Sequence, residues 1–466
     1  VGEVIEDIVN RLDPHSVYIP ASQRQSIAEN MQGKFYGIGV SFFMFKDSVT
    51  IIRVLEGGPS EAAGLLAGDR ILIANNDTLF QKNYSSEKIM QALKGRPGTS
   101  VDLTMYRKSE DKIFQLEMKR GKVPLPSVDS YYMMDKDLGY LKINRFSQTT
   151  YEEFDLALNE LISQGMEKMI LDLRDNPGGY LQPAIQVSNA LLKKDQTIVI
   201  TKSNMGEEEK SMAEGNGKFQ EGDLIVLVNE QSASASEIVA GAIQDNDRGW
   251  IIGRRTFGKG LVQQQMPLGG GDAIRLTIAK YFTPTGRSIQ KPYNGDREAY
   301  FQDLSNRYHK GEMANAKKIP VTDSLAYKTP EGRTVYGGGG ITPDFYISNN
   351  NTLREQWSSF ILNSNLMNNF VFKELDNNRI KFNGFGIDNL LKGRFEDLLP
   401  WYDLFVKYCE DNEIEITITE QEVLKSVKTY LGLQLFGENT FNLIKNQDDL
   451  SLDTAIKTLD SLSKID

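Results

Sequence analysis

The sequence predicts a multidomain α/β protein with α+β character, on three observations. Near-continuous apolar runs such as Met169-Ile170-Leu171-Asp172-Leu173 and Leu224-Ile225-Val226-Leu227-Val228 alternate with amphipathic stretches, as in a parallel sheet buried on both faces. Between Gly33 and about Lys122 the texture changes to short β-branched runs separated by glycine-rich turns. After about Ser348 the β signal fades and helical periodicity takes over.

Length agrees with several domains: 466 residues exceed one ordinary core and imply about two to four. Hydrophobic content of 40% and charged content of 25% are globular values. A net charge of -10 argues against a nucleic-acid backbone as the main partner. The one cysteine, Cys409, rules out an internal disulfide and a cysteine-rich metal site, but does not fix the compartment. No apolar run approaches the roughly 18 to 20 residues that span a bilayer. The chain starts at Val1 and looks trimmed; whether a signal peptide or lipid anchor was removed is left open.

In chain order, Val4, Ile5, Ile8, Val9 and Leu12 fall at helical spacing and stop at Asp13-Pro14; a second helix runs from about Ser22 to Met31. Tyr36-Gly37-Ile38-Gly39-Val40-Ser41-Phe42 reads as a glycine loop entering a strand, Val49 to Val54 as a strand and Pro59 to Leu65 as a short helix. A strand and turn follow over Ala67 to Asp77, then a helix over Glu87 to Leu93 and a strand over Val101 to Tyr106. This order resembles a PDZ domain, although a small β-barrel with turn glycines is the plain alternative. Backbone N–H groups of such a glycine loop accept a terminal carboxylate, and the adjoining strand pairs with a peptide.

Further on, Leu138 to Ile143 reads as a strand and Thr150 to Gln164 as a helix with Phe154, Leu156, Leu158 and Leu161 on its apolar side. Leu181 to Leu192 and Glu237 to Ile243 are helical; Trp250 to Ile252 and Ile274 to Ile278 are strands. In the tail, Val423, Val427, Tyr430 and Leu431 share one helical face, as do Leu452, Ile456 and Leu459. Phe360, Phe370, Trp401, Tyr402 and Phe405 are expected to supply its aromatic core.

The chemistry concentrates in two places. Ser232, Ser234 and Ser236 alternate with alanine between a buried strand and an apolar helix, where small residues allow a sharp corner with a projecting side chain. A serine there sits at a helix N-terminus, whose free N–H groups suit a developing oxyanion. A flexible Ser-Ala linker fits poorly, because strand and helix follow without a break. With only two histidines in the chain, an amine is the natural base, and Lys259 follows in Thr256-Phe257-Gly258-Lys259-Gly260. Such a lysine needs its pKa, about 10.4 when free, lowered by burial or by nearby positive charge; the plain alternative is an exposed lysine between glycines. Gly253 to Lys259 also fits the start of a phosphate-binding P-loop, but Gly260 stands where Ser or Thr should hold Mg²⁺, and Leu261 to Gln265 reads as a strand. The nucleotide reading fails there. Asp172 to Gly179 closes a buried strand with a turn whose glycines let backbone N–H groups approach a carbonyl. Read by itself, that turn is equally an ordinary strand end with an Arg–Asp pair.

Taken together, Asp172 to Gly179, Ser232 to Asp245, Thr256 to Gln263 and Thr283-Pro284-Thr285-Gly286-Arg287 resemble the carboxy-terminal processing (tail-specific) proteases. Leu12 to Tyr18 and Gly340 to Asp344 match further landmarks, in the family's order from about Val1 to Asn349. The resemblance implies a serine–lysine endopeptidase with a crotonase- and Clp-protease-like core, an inserted PDZ domain and, here, a helical C-terminal extension. It implies Ser234 as nucleophile, Lys259, 25 positions later, as general base, and Gln263 as the residue positioning that lysine. Ala235 with Gly178 or Gly179 match the oxyanion-hole donors, and Asp245 a supporting acid. Arg174 is expected to steady the glycine turn, and Gly37, Ile38 and Gly39 match the PDZ carboxylate loop.

The domains expected are a helical segment (1–32), PDZ (33–122), protease core (123–348) and a mostly helical accessory domain (349–466). The resemblance implies protein substrates with apolar C-termini, no cofactor and an exported, periplasmic or envelope-associated bacterial enzyme; it leaves homo-oligomers open. His15 and His309 read as structural, and no metal-ligand cluster stands out. A non-catalytic peptide scaffold would be favoured by loss of the serine or the lysine, and both are present. An acyl-CoA enzyme of the related crotonase fold fits the PDZ insertion less well.

Overall fold

A computed structural model describes residues 2–45, 48–82, 84–349 and 353–462 and divides into two compact units. One comprises 1–33, 126–350 and 448–466; the other comprises 34–125 and 351–447. The tail expected as one extension over 349–466 is thus split, its last segment grouping with the first unit.

In the first unit a six-stranded sheet runs in the order Val128–Met133, Leu138–Ile143, Lys168–Asp172, Asp223–Val228, Trp250–Gly253, Phe345–Tyr346. Its first pair is antiparallel and the rest are parallel, as the unbroken apolar runs foretold. Alternation along each strand sends Leu141, Leu171, Val226 and Val228 to one face, against Phe154, Leu158, Leu161, Val187 and Val239 of three helices. Tyr140, Ile170, Ile225, Leu227 and Ile252 point the other way, onto Leu452, Ala455 and Leu459 of the helix Leu450–Leu462. Leu156, expected on the apolar side of Thr150–Ser163, is 61% exposed. Two residues from Phe154, it lies about 200° further round the helix. A second, antiparallel sheet joins Val17–Ile19, Ala273–Phe282, Thr197–Ser203 and Glu208–Met212, with Leu261–Pro267 also on Ala273–Phe282. Of the first expected helix, Gly2–Asn10 is helical, and Val1 lies outside the described residues.

The other unit holds an antiparallel sheet ordered Val40–Phe45, Ser48–Val54, Asp69–Ala74, Ser100–Arg107, Lys112–Lys119, with helices Pro59–Ala62 and Ser86–Leu93. Lys34–Gly37 pairs with Gly121–Pro124 at the segment's ends. Its helical part is built on Asn365–Asn378, Trp401–Asp411 and Glu420–Phe436 around Phe370, Trp401 and Phe405. Phe360 does not join that core: it is 66% exposed and stacks on Trp357, one turn away on the same helix. Phe372 meets Phe43 of the sheet edge to face, and Asp376 pairs with Arg70 and Lys108. Among the described residues no helix is long and apolar enough to cross a membrane.

The helix Ala235–Asp245 is buried along all 11 residues, so its polar side chains must find partners inside. At its C-terminal end Asp245 forms a fully buried ion pair with Arg287, at 2.7 Å, and also accepts from the Thr285 hydroxyl. Arg287→Met is therefore expected to destabilise this first unit by about 3–5 kcal/mol, since it strands a buried carboxylate. The double variant Asp245→Leu/Arg287→Met should be less destabilised than the single one, as read from urea unfolding.

Candidate active site

Ser234 stands at the corner between Asp223–Val228 and the buried helix with φ 56° and ψ −113°. A non-glycine residue in that region is strained and persists only when its surroundings hold it there. The neighbouring serines do part of the holding. Ser232 Oγ donates to the Leu173 carbonyl at 2.8 Å and accepts from the Asn229 N–H; Ser236 Oγ donates to the Asn176 carbonyl at 2.9 Å. Both are completely buried, whereas Ser234 is half-buried. The middle serine of the triplet is the one that keeps partial exposure.

Two groups then tie Ser234 to Lys259 through the backbone. Glu237 Oε2 accepts the N–H of Ser234 and the N–H of Lys259, each at 2.8 Å, while Oε1 accepts the Thr256 hydroxyl at 2.5 Å and the Gly258 N–H at 2.7 Å. The Tyr281 hydroxyl bridges the carbonyls of Ser234 (2.9 Å) and Lys259 (2.5 Å). Neither Glu237 nor Tyr281 stood out in the sequence. Glu237 had a local signal, because Ser-x-x-Glu is the spacing of a helix capping box. Tyr281 had none, since it arrives from a distant strand.

The Lys259 Nζ donates to Gln263 Oε1 at 2.9 Å, and Gln263 Nε2 donates to the His15 carbonyl at 2.6 Å. Among the described residues no hydrogen bond joins Nζ to Ser234 Oγ. Burial, followed by the charge of Arg275, lowers the Lys259 pKa from 10.5 to about 8, against opposing pulls from Glu237 and Asp13. The His15 ring accompanies it: burial and the Lys259 charge hold it near 3, so it stays neutral, with Nε2 2.8 Å from the Tyr300 hydroxyl.

The glycine turn approaches from the side. A Cβ on Gly178 (φ +94°) would lie 2.8 Å from Ser234 Cβ and 2.9 Å from the Ala235 nitrogen. The Gly178 N–H already donates to Asn176 Oδ1 at 2.8 Å, whereas those of Gly179 and Ala235 have no partner among the described residues. Asn176 braces the turn: its Nδ2 donates to the Ile143 carbonyl, and its own carbonyl accepts the Ala233 N–H. Arg174 does not touch the turn in the way expected. It lies against Asp172 with two nitrogens and reaches Asp449, at 2.5 Å, before the last helix. Asp172, buried and held low by Arg174 despite its burial, also accepts from the Tyr140 hydroxyl.

In the other unit, Gly37 pairs with Gly121 in the strand ladder, and the carbonyls of Ile38 and Gly39 accept from Ser60 and Leu55. The N–H groups of Ile38 and Gly39 have no partner among the described residues, and the adjoining strand Val40–Phe45 is an edge of its sheet. Among the described residues no group of three or more His, Cys, Asp or Glu side chains is arranged to hold a metal.

The profile of peptidase family S41 matches residues 137–296, and that of a PDZ domain matches residues 37–118. A carboxy-terminal-processing protease of Bartonella bacilliformis is 35% identical over 300 residues, covering 62% of this chain and 67% of that protein. The chain belongs to peptidase family S41. It is a serine protease carrying a PDZ domain. A carboxyl-terminal-processing protease of a Picosynechococcus species is likewise 35% identical, over 285 residues, covering 60% of this chain and 67% of that one. A probable CtpA-like serine protease of Staphylococcus aureus is 34% identical over 289 residues, covering 61% of this chain and 57% of its own length. Among solved structures, a photosystem II D1 C-terminal processing protease aligns with TM-score 0.40 and 25% identity over 74% of this S41 chain and 81% of its own.

Gly178→Ala places a methyl group against Ser234 Cβ and forces a side chain into left-handed backbone. Peptidase activity is expected to fall by at least about 100-fold at a stability cost of about 1–3 kcal/mol. A fluorogenic peptide assay beside a thermal melt checks both.

Proposed function

We propose that this S41 protease is a carboxy-terminal-processing endopeptidase, in which Ser234 is the nucleophile and Lys259 the general base. The observation that carries the reading is the pair of shared anchors, Glu237 and Tyr281, that bind the backbones of a strained, part-exposed serine and of a lysine whose pKa burial lowers to about 8. Ser234 Oγ would attack the scissile carbonyl carbon while the neutral Lys259 amine takes its proton. The oxyanion would be met by the N–H groups of Ala235 and Gly179, both of them without partners among the described residues. Lysine then returns the proton to the departing amine, leaving an acyl ester on Ser234. Water, deprotonated by the same amine, releases the acid and restores the serine. Gln263, fixed by the His15 carbonyl, aims the amine; Asp245 and Arg174 serve structure.

Substrate selection falls to the PDZ domain in this reading. A C-terminal carboxylate would dock on the Ile38 and Gly39 N–H groups, and the chain before it would pair with the edge strand Val40–Phe45. An apolar terminal side chain suits the neighbouring core of Ile38, Ile89 and Leu93. The names of the relatives, carboxy-terminal-processing proteases, support the same assignment; the exported, envelope-associated site of action implied by the family resemblance stays part of the proposal. The four domains read from the sequence stand as part of this proposal, with 448–466 joined to the protease.

Ser234→Ala and Lys259→Ala are each expected to reduce cleavage of an apolar-tailed substrate by at least about 1,000-fold. A fluorophosphonate should label Ser234 in the parent protein, as located by mass spectrometry; labelling elsewhere during turnover overturns the assignment. Because the lysine acts unprotonated, kcat/KM should rise with pH to a plateau, with a midpoint near 8. At pH 6 it should be about 100-fold below that plateau. A flat profile between pH 6 and 9 contradicts the lysine base.

A further inference from the structure

We propose that Glu237 is a positioning residue of this site: its ionised carboxylate locks the Ser234 and Lys259 backbones into one frame and, with Asp13, supplies the negative charge that the lysine amine feels. The inference rests on the Ser234–Lys259 reading.

The partners of the carboxylate suit an anion. Three of the four are backbone N–H groups, of Ser234, Gly258 and Lys259, which only donate. The fourth, Thr256 Oγ1, accepts the Ile341 N–H at 2.6 Å and donates to Glu237. A protonated carboxyl would find only the Thr256 hydroxyl as an acceptor among these four. Burial leaves Glu237 above the ordinary carboxylate range, although the four donors oppose the rise. An amide in its place would keep one accepting oxygen and turn an NH₂ toward two of the donors. Either the Ser234 and Lys259 N–H groups or the Gly258 N–H would then lose its acceptor, and the frame around the strained Ser234 backbone loosens.

The charge acts as well as the shape. The Lys259 amine is faced by Arg275 from the strand Ala273–Phe282, by Asp13 and the neutral His15 from the segment before Val17–Ile19, and by Glu237 from the buried helix. Lys291, Tyr281 and Tyr300 lie in the field of the same carboxylate. Burial and Arg275 favour the free amine, Glu237 and Asp13 the ammonium, and the working pH of the base is set by their balance.

Glu237→Gln, made in the full chain, tests this. The turnover number is expected to fall about 100- to 1,000-fold, with KM changed less than about 3-fold. The acid limb of kcat/KM should move down by about one pH unit, because loss of an anion weakens the proton's hold on Lys259. A purely structural residue would lower activity without moving that limb. An unmoved limb in a variant that melts cooperatively, or parental turnover, overturns the proposal. Glu237→Asp is measured beside it against failure of the amide variant to fold: it keeps the charge but is too short to hold all four donors. Reduced turnover with an unmoved limb supports the inference, and parental turnover overturns it. If Lys259→Ala or Ser234→Ala keeps its activity, the underlying catalytic reading fails instead. Fluorophosphonate labelling of Ser234 together with an unmoved limb in Glu237→Gln removes only the role given to Glu237.

Discussion

A single buried carboxylate organises the protease site. Glu237 gathers four donors from the serine corner and from Thr256 to Lys259, two stretches that approach from opposite sides of the helix start. Burying a carboxylate is expensive unless every lone pair is used, and here donors are supplied to both oxygens. The return is geometric. A serine in left-handed backbone does not stay there by local preference, and its N–H is fastened to the same oxygen as that of the lysine. Tyr281 repeats the device with donor and acceptor exchanged, one hydroxyl serving two carbonyls.

Around this frame the electrostatics pull in opposing directions, and the net shift is toward the free amine. Lys259 is removed from water and placed near Arg275, both of which favour the free amine. His15 contributes no charge, because burial keeps its ring neutral, while its carbonyl holds the Gln263 amide in the orientation that presents an oxygen to the lysine. A histidine therefore stands close to the site as a spacer and backbone anchor, without exchanging protons.

Much of this could be read along the chain, and what could not shares one physical reason. The serine corner and Lys259 lie in short motifs whose strand and helix neighbours are adjacent in sequence, so local pattern placed them. Partnerships are different. The Arg174 side chain looked like a brace for the next turn, yet its second partner, Asp449, lies 275 residues away. Gly178 and Gly179 look equivalent in sequence; only the Asn176 side chain, folded back onto Gly178, leaves the Gly179 N–H as the open donor. Hydrophobicity also fails to tell inside from outside residue by residue. Leu156 and Phe360 lie on helices with genuine apolar faces but point away from them. The parallel sheet announced itself because its strands are covered twice, and the PDZ segment because its turns need glycine.

The second cover of that sheet comes from residues 450–462, after the chain has left the protease unit and returned. Until that helix emerges from the ribosome, a row containing Tyr140, Ile170, Ile225 and Leu227 has nothing of its own to lie against. The nascent hydrolase therefore carries one greasy flank bare while residues 347 to 449 are made, open to chaperones or to premature clumping. Arg174 couples the arrival of that helix to the strand end that leads into the glycine turn. Docking of the helix and setting of the turn beside Ser234 would then come together as one folding event.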